Sequence, residues 1–334
     1  MAAETVTMQL DALEELCVAS ALRCGADSEA ARAVARANID AEACGQESVG
    51  LAHFIDYLDS WQAGRIAAGV QPALTRPLPA IIHSDAGGGI AHLGFDIAFE
   101  DLIETTHSLG VGIFVQANAY TCGSLGYFTA RLARRGLLAL AATNGPALLA
   151  GSGASKPTFC TNPMAFAAPR ANGPPLLIDQ ASSAAAFVSI RRAAEEGKPI
   201  PEGWALDRSG KPTTDAREAI HGALLAFGGA RGANIALMVE VLSAGLAGAN
   251  WSVDAPAFNE GSQSPGTGMF VLAIDAEAIA PDFSARLDRQ LQRLGQDYGM
   301  HIPGLSKAAT RQSSETSGLA VQRELLDRIT EAGR

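Results

Sequence analysis

Two segments carry residue types that suit anion binding. In LLIDQASSAAAFVSIRRAAEEG an apolar strand ends at Asp179, and Ser182 or Ser183 is placed to cap the helix that follows. Free backbone N–H groups at that helix start would then face the strand end, an arrangement that favours a phosphate. In FGGARGANIALMVEV, Gly228, Gly229 and Gly232 let the backbone approach a ligand closely, and Arg231 adds a forked cation at a second helix start. Each pattern alone is also ordinary helix capping. The better-known fingerprints are absent. Gly87, Gly88 and Gly89 follow a strand, but the third glycine of G-x-G-x-x-G falls on His92, and a hairpin turn accounts for the cluster. GSGASKP at 151–157 lacks the P-loop spacing. The histidines form no H-E-x-x-H, and no G-x-S-x-G elbow is present, so neither a metal centre nor a hydrolase has support.

The elements that must position these residues alternate along the chain. Leu10, Leu13, Leu16 and Val18 recur near helical spacing up to Gly25, Asp27 or Ser28 caps a second helix towards Ala43, and a third follows Gly50 and stops near Gly64. After a proline-rich stretch from Pro72 to Pro79, β-type runs at 80–83, 111–115 and 137–143 alternate with amphipathic segments ended by glycine. MAFAAP and PLLIDQ add two strands, VSIRRAAEE a helix, and MFVLAID at 269–275 a last strand. ANIALMVEVLSAGLAG reads as a nearly all-apolar helix and is expected to be buried. Residues 283–298 form an amphipathic helix, and the polar stretch from Ala308 to Ser317 reads as a mobile connection to a final helix. This order predicts an α/β layer architecture.

Composition bounds the answer further. A chain of 334 residues with 48% hydrophobic and 18% charged residues is globular, with one large or two joined domains. No run approaches the roughly 20 apolar residues of a membrane span. A formal charge of −10 repels a phosphate backbone, so nucleic acid is not an expected partner. The leading MAAETVTMQLDALEEL has no basic segment followed by an apolar one, which favours the cytoplasm, and the five scattered cysteines read as reduced thiols.

Several phrases taken in order are more specific than any of these features: AEACGQESVG, GSLGYF, TNPMAFAAP, LIDQAS, GKPIPEGWALDRSGKPTTD and FGGARG. From Leu10 to Gly304 the chain resembles the malate/L-lactate dehydrogenase family of NAD(P)-dependent oxidoreductases, which lacks the usual Rossmann fold and includes reductases of cyclic imino acids. The resemblance implies an α/β fold with a central β-rich cofactor domain, at 76–275, and a largely helical unit built from 1–75 and 276–334, usually in a homodimer. It implies that NADPH or NADH is held by Leu177, Ile178, Asp179, Gln180, Ala181 and Ser182, by Ala230 and Arg231, and near Gly304, Leu305 and Ser306.

The catalytic motif departs from the family. Members usually carry Ser-His-Gly where this chain has Ser48, Val49 and Gly50, and that histidine is regarded as proton donor to the carbonyl oxygen. A second characteristic histidine aligns with Thr121, and a common lysine with Arg231. Hydride addition to a ketone builds an alkoxide and needs a positioned acid, worth about 10² to 10⁴ in rate. A protonated imine accepts hydride without one. The expected function is therefore NAD(P)H-dependent reduction of a small carboxylated imine, with Asp179 holding the iminium by charge and Ser48, Tyr120 and Thr121 lining the pocket. Two alternatives stand beside it: a 2-hydroxy acid dehydrogenase with a replacement acid such as Tyr120, and a catalytically silent dinucleotide- or metabolite-binding protein.

Overall fold

The computed structural model describes residues 4–334. In chain order its strands are β1 (Thr5–Met8), β2 (Ala73–Leu78), β3 (Ile81–Asp85), β4 (Val111–Ala119), β5 (Leu138–Thr143), β6 (Leu149–Ala150), β7 (Pro157–Phe159), β8 (Met164–Ala168), β9 (Leu176–Gln180), β10 (Ala205–Leu206), β11 (Pro212–Thr213), β12 (Ala223–Leu224), β13 (Thr267–Ile274) and β14 (Leu319–Gln322). Seven form the main sheet, in the order β2-β3-β4-β13-β5-β8-β9. Only β3 and β4 run parallel, and the late strand β13 fills the centre between β4 and β5. β9 lies at the edge, with Asp179 opposite Ala165 of β8. Five short strands form a second sheet, and β1 pairs with β14 to join the two ends of the chain.

Helices α1 (Leu10–Arg23), α2 (Ser28–Ala43) and α3 (Leu51–Gln62) build the first helical layer, and α4 (Ala91–Leu109) and α5 (Gly126–Arg134) cover the main sheet. Asp27 caps α2 by accepting from the N–H groups of Glu29 and Ala30 at 3.0 and 2.9 Å. Small side chains on α2, among them Ala31, Ala35, Ala37 and Ala41, let α1, α3 and α4 approach it closely. The buried core is continuous from these helices to Tyr120 at the end of β4. Further along come α6 (Phe187–Glu195), α7 (Ala216–Ala219), α8 (Ala230–Glu240), α9 (Ala276–Ile279), α10 (Phe283–Tyr298), α11 (Leu305–Ser317) and α12 (Arg323–Glu331).

Four local expectations change. Ser182 and Ser183 do not cap a helix: α6 starts five residues later, after Ala186, because Ser183 bridges to Ala226 in strand fashion and Ser182 donates its hydroxyl proton to the Asn162 carbonyl at 2.8 Å. Gly87 to Gly89 form the turn from β3 into α4, not a hairpin, since the Gly88 N–H is drawn to the Asn118 carbonyl at 2.7 Å. The polar 308–317 stretch is helical within α11, held by Ser314 donating to the Ala43 carbonyl and by an ion pair between Arg311 and Asp40. The apolar helix α8 and its π-helical extension Val241–Gly245 bury only one face, leaving Leu237, Met238, Val241 and Leu246 exposed.

A charged pair pins the edge of the sheet that carries Asp179. Arg170, in the turn between β8 and β9, donates through Nε to Asp288 of α10 at 2.8 Å, and Asn172 donates to the other carboxylate oxygen at 3.1 Å. The arginine, first, and the asparagine, second, hold the Asp288 carboxyl below the usual carboxylate range. Its share of stability is therefore present above about pH 4 and is lost as pH falls through the lower folded value. Arg170→Ala is expected to destabilise the fold by about 1 to 3 kcal/mol in urea at neutral pH. The difference from wild type should narrow as pH falls through that lowered value; a difference independent of pH would contradict the assignment.

Candidate active site

Asp179 ends β9 against the start of α5. Its Oδ2 accepts from the Gly126 N–H at 2.8 Å and from the Ser124 hydroxyl at 3.3 Å. The first turn of a helix has N–H groups without partners inside the helix, so a carboxylate docked there satisfies them and meets the positive end of the helix dipole. Gly126 is required at this contact, because a Cβ on it would lie 2.9 Å from Asp179 Oδ2 and 3.1 Å from Asp179 Cβ. Burial pushes the Asp179 carboxyl up from its ordinary value, while the Gly126 hydrogen bond, Lys307 and Ser124 oppose that rise. Desolvation wins, so the group has a raised affinity for a proton or for a cationic N–H.

The loop carrying Ser48 and Val49 reaches the same place. Ser124 also lies 3.5 Å from Gln46 Oε1, two residues before Ser48, so Gln46, Ser124 and Asp179 form one polar chain. Glu42 fixes the exit of this loop by accepting from the Leu51 N–H at 2.7 Å, and a Cβ on Gly50 would collide with the same carboxylate at 2.1 Å. Ser48 is exposed and Val49 half-buried. Thr121 is also half-buried, and its carbonyl accepts from the Tyr57 hydroxyl at 3.4 Å.

Tyr120 sits elsewhere. It is buried among Tyr57 and Phe258, and its hydroxyl lies 2.7 Å from Ser60 Oγ and donates to the Phe258 carbonyl at 3.1 Å. Burial raises its pKa further. A hydroxyl so committed holds the loop after β4 to α3, which is a structural task.

The three segments assigned to the cofactor converge on β9 and its extension. The Phe227 N–H donates to the Ser182 carbonyl at 3.0 Å, and Ala184 to Leu225 at 2.8 Å, which sets the LIDQAS segment beside the start of α8. Gly228 and Gly229 there have φ of 59° and 63°, with open space where a Cβ would stand. Arg231 is exposed and forms no ion pair among the described residues. On the other side, the Leu177 N–H lies 3.4 Å from the Pro303 carbonyl, and a Cβ on Gly304 would meet Leu177 at 2.9 Å. Leu177, Gly304, Leu305 and Lys307 line a cavity of about 630 Å³ together with Cys44 and Arg134. The buried Ser183 hydroxyl has no partner. An open glycine pair, a free arginine and this orphaned hydroxyl along one ridge fit a phosphate-bearing dinucleotide. Among the described residues no group of three His, Cys, Asp or Glu is placed to hold a metal ion.

Residues 8–330 match the Malate/L-lactate dehydrogenase family. The chain belongs to that family. It is 36% identical over 299 residues to a (2R)-3-sulfolactate dehydrogenase (NADP(+)) of Chromohalobacter salexigens, covering 89% of this chain and 90% of that protein. It is 35% identical to a Delta(1)-pyrroline-2-carboxylate/Delta(1)-piperideine-2-carboxylate reductase of Pseudomonas aeruginosa, over 96% of this chain and 98% of the relative. Among solved structures, a delta1-piperideine-2-carboxylate reductase from Pseudomonas syringae superposes with a TM-score of 0.94 at 31% identity, covering 98% of this chain and 100% of the other.

Sequence reasoning missed Gln46, Ser124 and Lys307. The first two stand inside phrases that carry the family resemblance, and Lys307 directly follows the Gly304–Ser306 segment, so position in a motif was the available signal. Gly126→Ala tests the central contact. The variant is expected to keep its far-ultraviolet circular dichroism, because alanine favours a helix, yet to lose at least tenfold in NAD(P)H-dependent turnover as the Asp179 carboxylate is displaced. Unchanged turnover would separate Asp179 from the chemistry.

Proposed function

We propose that the protein is an NADPH- or NADH-dependent reductase of small, carboxylated cyclic imines of the Δ1-pyrroline-2-carboxylate and Δ1-piperideine-2-carboxylate type. The observation that carries this reading is the pairing of Val49 with Asp179: an apolar side chain stands where the family's carbonyl acid belongs, while a carboxylate remains at the strand end. A ketone oxygen is far less basic than an imine nitrogen, so its reduction relies on an acid placed where Val49 stands. An iminium instead needs a nearby negative charge, which Asp179 provides from a partly desolvated position where Coulomb attraction is weakly screened. The bound nicotinamide supplies hydride. Leu177, Ile178, Asp179, Gln180, Ala181 and Ser182 line one side of its site, Ala230 and Arg231 bind phosphate, and Gly304, Leu305 and Ser306 close the other side. Ser48 and Thr121 border the substrate.

Dehydrogenation of a 2-hydroxy acid is the second reading, favoured by the 36% identity to the sulfolactate dehydrogenase. Initial rates with NADPH and with NADH separate the two. The value of kcat/KM on Δ1-piperideine-2-carboxylate is expected to exceed that on pyruvate and on the 2-oxo form of 3-sulfolactate by about 10² or more, the factor a general acid is worth. The opposite order would overturn the imine assignment.

Two further features complete the proposal. Leu237, Met238, Val241, Leu246, Trp251 and Val253 are each 44–62% exposed on and just after α8, and an apolar patch of this kind marks a protein contact. We assign it to a two-fold homodimer, the commonest closed assembly. Light scattering at micromolar concentration should give twice the 34.5 kDa chain mass, and Met238→Glu with Val241→Glu should give the monomer. A wild-type monomer would refute it. All five cysteines are free, as suits the reducing cytoplasm, where we place the enzyme. Arg231→Ala should weaken cofactor binding by about 1 to 3 kcal/mol in fluorescence titration, the loss typical of a charge-assisted contact; unaltered affinity would make Arg231 an ordinary residue of a helix start.

A further inference from the structure

One imidazole approaches this site from a position outside the motifs that mark it. His53 lies one helical turn beyond Val49, in the first turns of α3. Its Nδ1 is 2.9 Å from Asp56 Oδ2, and its ring meets Tyr57 edge-on at 4.9 Å. The opposite edge faces the loop after β4: a Cβ on Gly123 would lie 3.8 Å from His53 Cδ2, the carbon bonded to Nε2. Gly123 adjoins Ser124, whose hydroxyl touches Asp179, and the same loop holds Thr121. His53 is half-buried, and its Nε2 has no hydrogen-bond partner among the described residues.

Resting on the imine-reductase reading, we infer that His53, oriented by Asp56, gives the proton to the substrate nitrogen. The carboxylate accepts from Nδ1–H and so leaves Nε2 as the edge that exchanges protons, the arrangement by which an acid orients a working imidazole. In the step, the Nε2–H bond of the imidazolium breaks as the lone pair of a neutral imine nitrogen takes the proton. The resulting iminium carbon accepts hydride from the reduced nicotinamide, and the neutral imidazole recovers a proton from water. The groups facing His53 are Asp56 and Tyr57 from α3 and His92 from α4; Cys122, from the loop after β4, lies against Tyr57 and His92 behind them. His92 does not compete as donor: burial, first, and the charge of His53, second, push its pKa down to about 3. Tyr57 and Cys122 are buried with their pKa values raised by desolvation, so neither is an acid at working pH.

The experiment compares two substrates near neutral pH: Δ1-piperideine-2-carboxylate, whose nitrogen must be protonated, and its N-methyl iminium counterpart, which is permanently cationic. His53→Gln should lower kcat/KM on the imine by about 10² or more and leave the N-methyl iminium within about threefold. NADPH affinity by fluorescence titration should match wild type and shows that the variant is folded. His53→Ala should regain imine turnover with added imidazole. Equal losses on both substrates would mean that His53 binds the substrate rather than protonating it, and no loss on either would remove it from the site; both overturn the inference. Wild-type enzyme that turns over neither substrate but reduces ketones would overturn the underlying imine reading itself.

Discussion

The site depends on one contact, the docking of the Asp179 carboxylate onto the first turn of α5. A half-buried carboxylate is costly unless its oxygens are satisfied or reach solvent. Here the free N–H of Gly126 and the Ser124 hydroxyl satisfy one oxygen, and a glycine is needed so that the acid can come close enough. The strand end, the loop after β4 and the start of α5 are thereby locked together. The other oxygen has no hydrogen-bond partner among the described residues. Everything that places β9 at the edge of the sheet, including the Arg170–Asp288 pair, serves this geometry.

The rest of the site is arranged around that lock. Gln46 connects the Ser48–Val49 loop to Ser124, and Glu42 fixes the exit of that loop through the Leu51 N–H. The run after Asp179 is stitched through Ser182 to Asn162, and Asn162 donates to buried Glu240 of α8 at 2.8 Å. Glu240 also accepts from the N–H and hydroxyl of Ser252 at 2.6 and 2.8 Å. The helix that presents Arg231 at one end thus grips, at its other end, the loop that positions Ser182. These buried groups share one connected set of hydrogen bonds, with Asn162 Oδ1 alone left without a partner, and such a set favours one arrangement of the two segments.

Much of this was legible in the sequence because periodicity and end signals are local. The limits of α3, α10 and the strands holding MAFAAP and LLIDQ follow from hydrophobic spacing and from the residues that stop it. Long-range placement was not legible. Nothing near Thr267 announces that β13 fills the centre of the sheet, nor near Ser182 that Asn162 and Ala226 will draw it out of a helix cap. The apolar run in α8 reads as core, although only one of its faces meets the sheets. Tyr120 reads as a pocket acid from its place in a motif, while its side chain turns into the helical core. His53 carries the converse lesson: the role inferred for it depends on its approach to Gly123, seventy residues away in the chain, where a Cβ would lie 3.8 Å from its ring, and no spacing rule detects that.

The central claim is that a carboxylate held on a helix start replaces a carbonyl acid as the determinant of what is reduced. Asp179→Asn keeps the shape and an acceptor for Gly126 while removing the charge, so it tests this directly. With NADPH binding confirmed by titration, the account predicts a fall of about 10² or more in kcat/KM on the permanently cationic N-methyl iminium of Δ1-piperideine-2-carboxylate, the scale of losing one preorganised electrostatic contact. Turnover of that cation within a few-fold of wild type would contradict it.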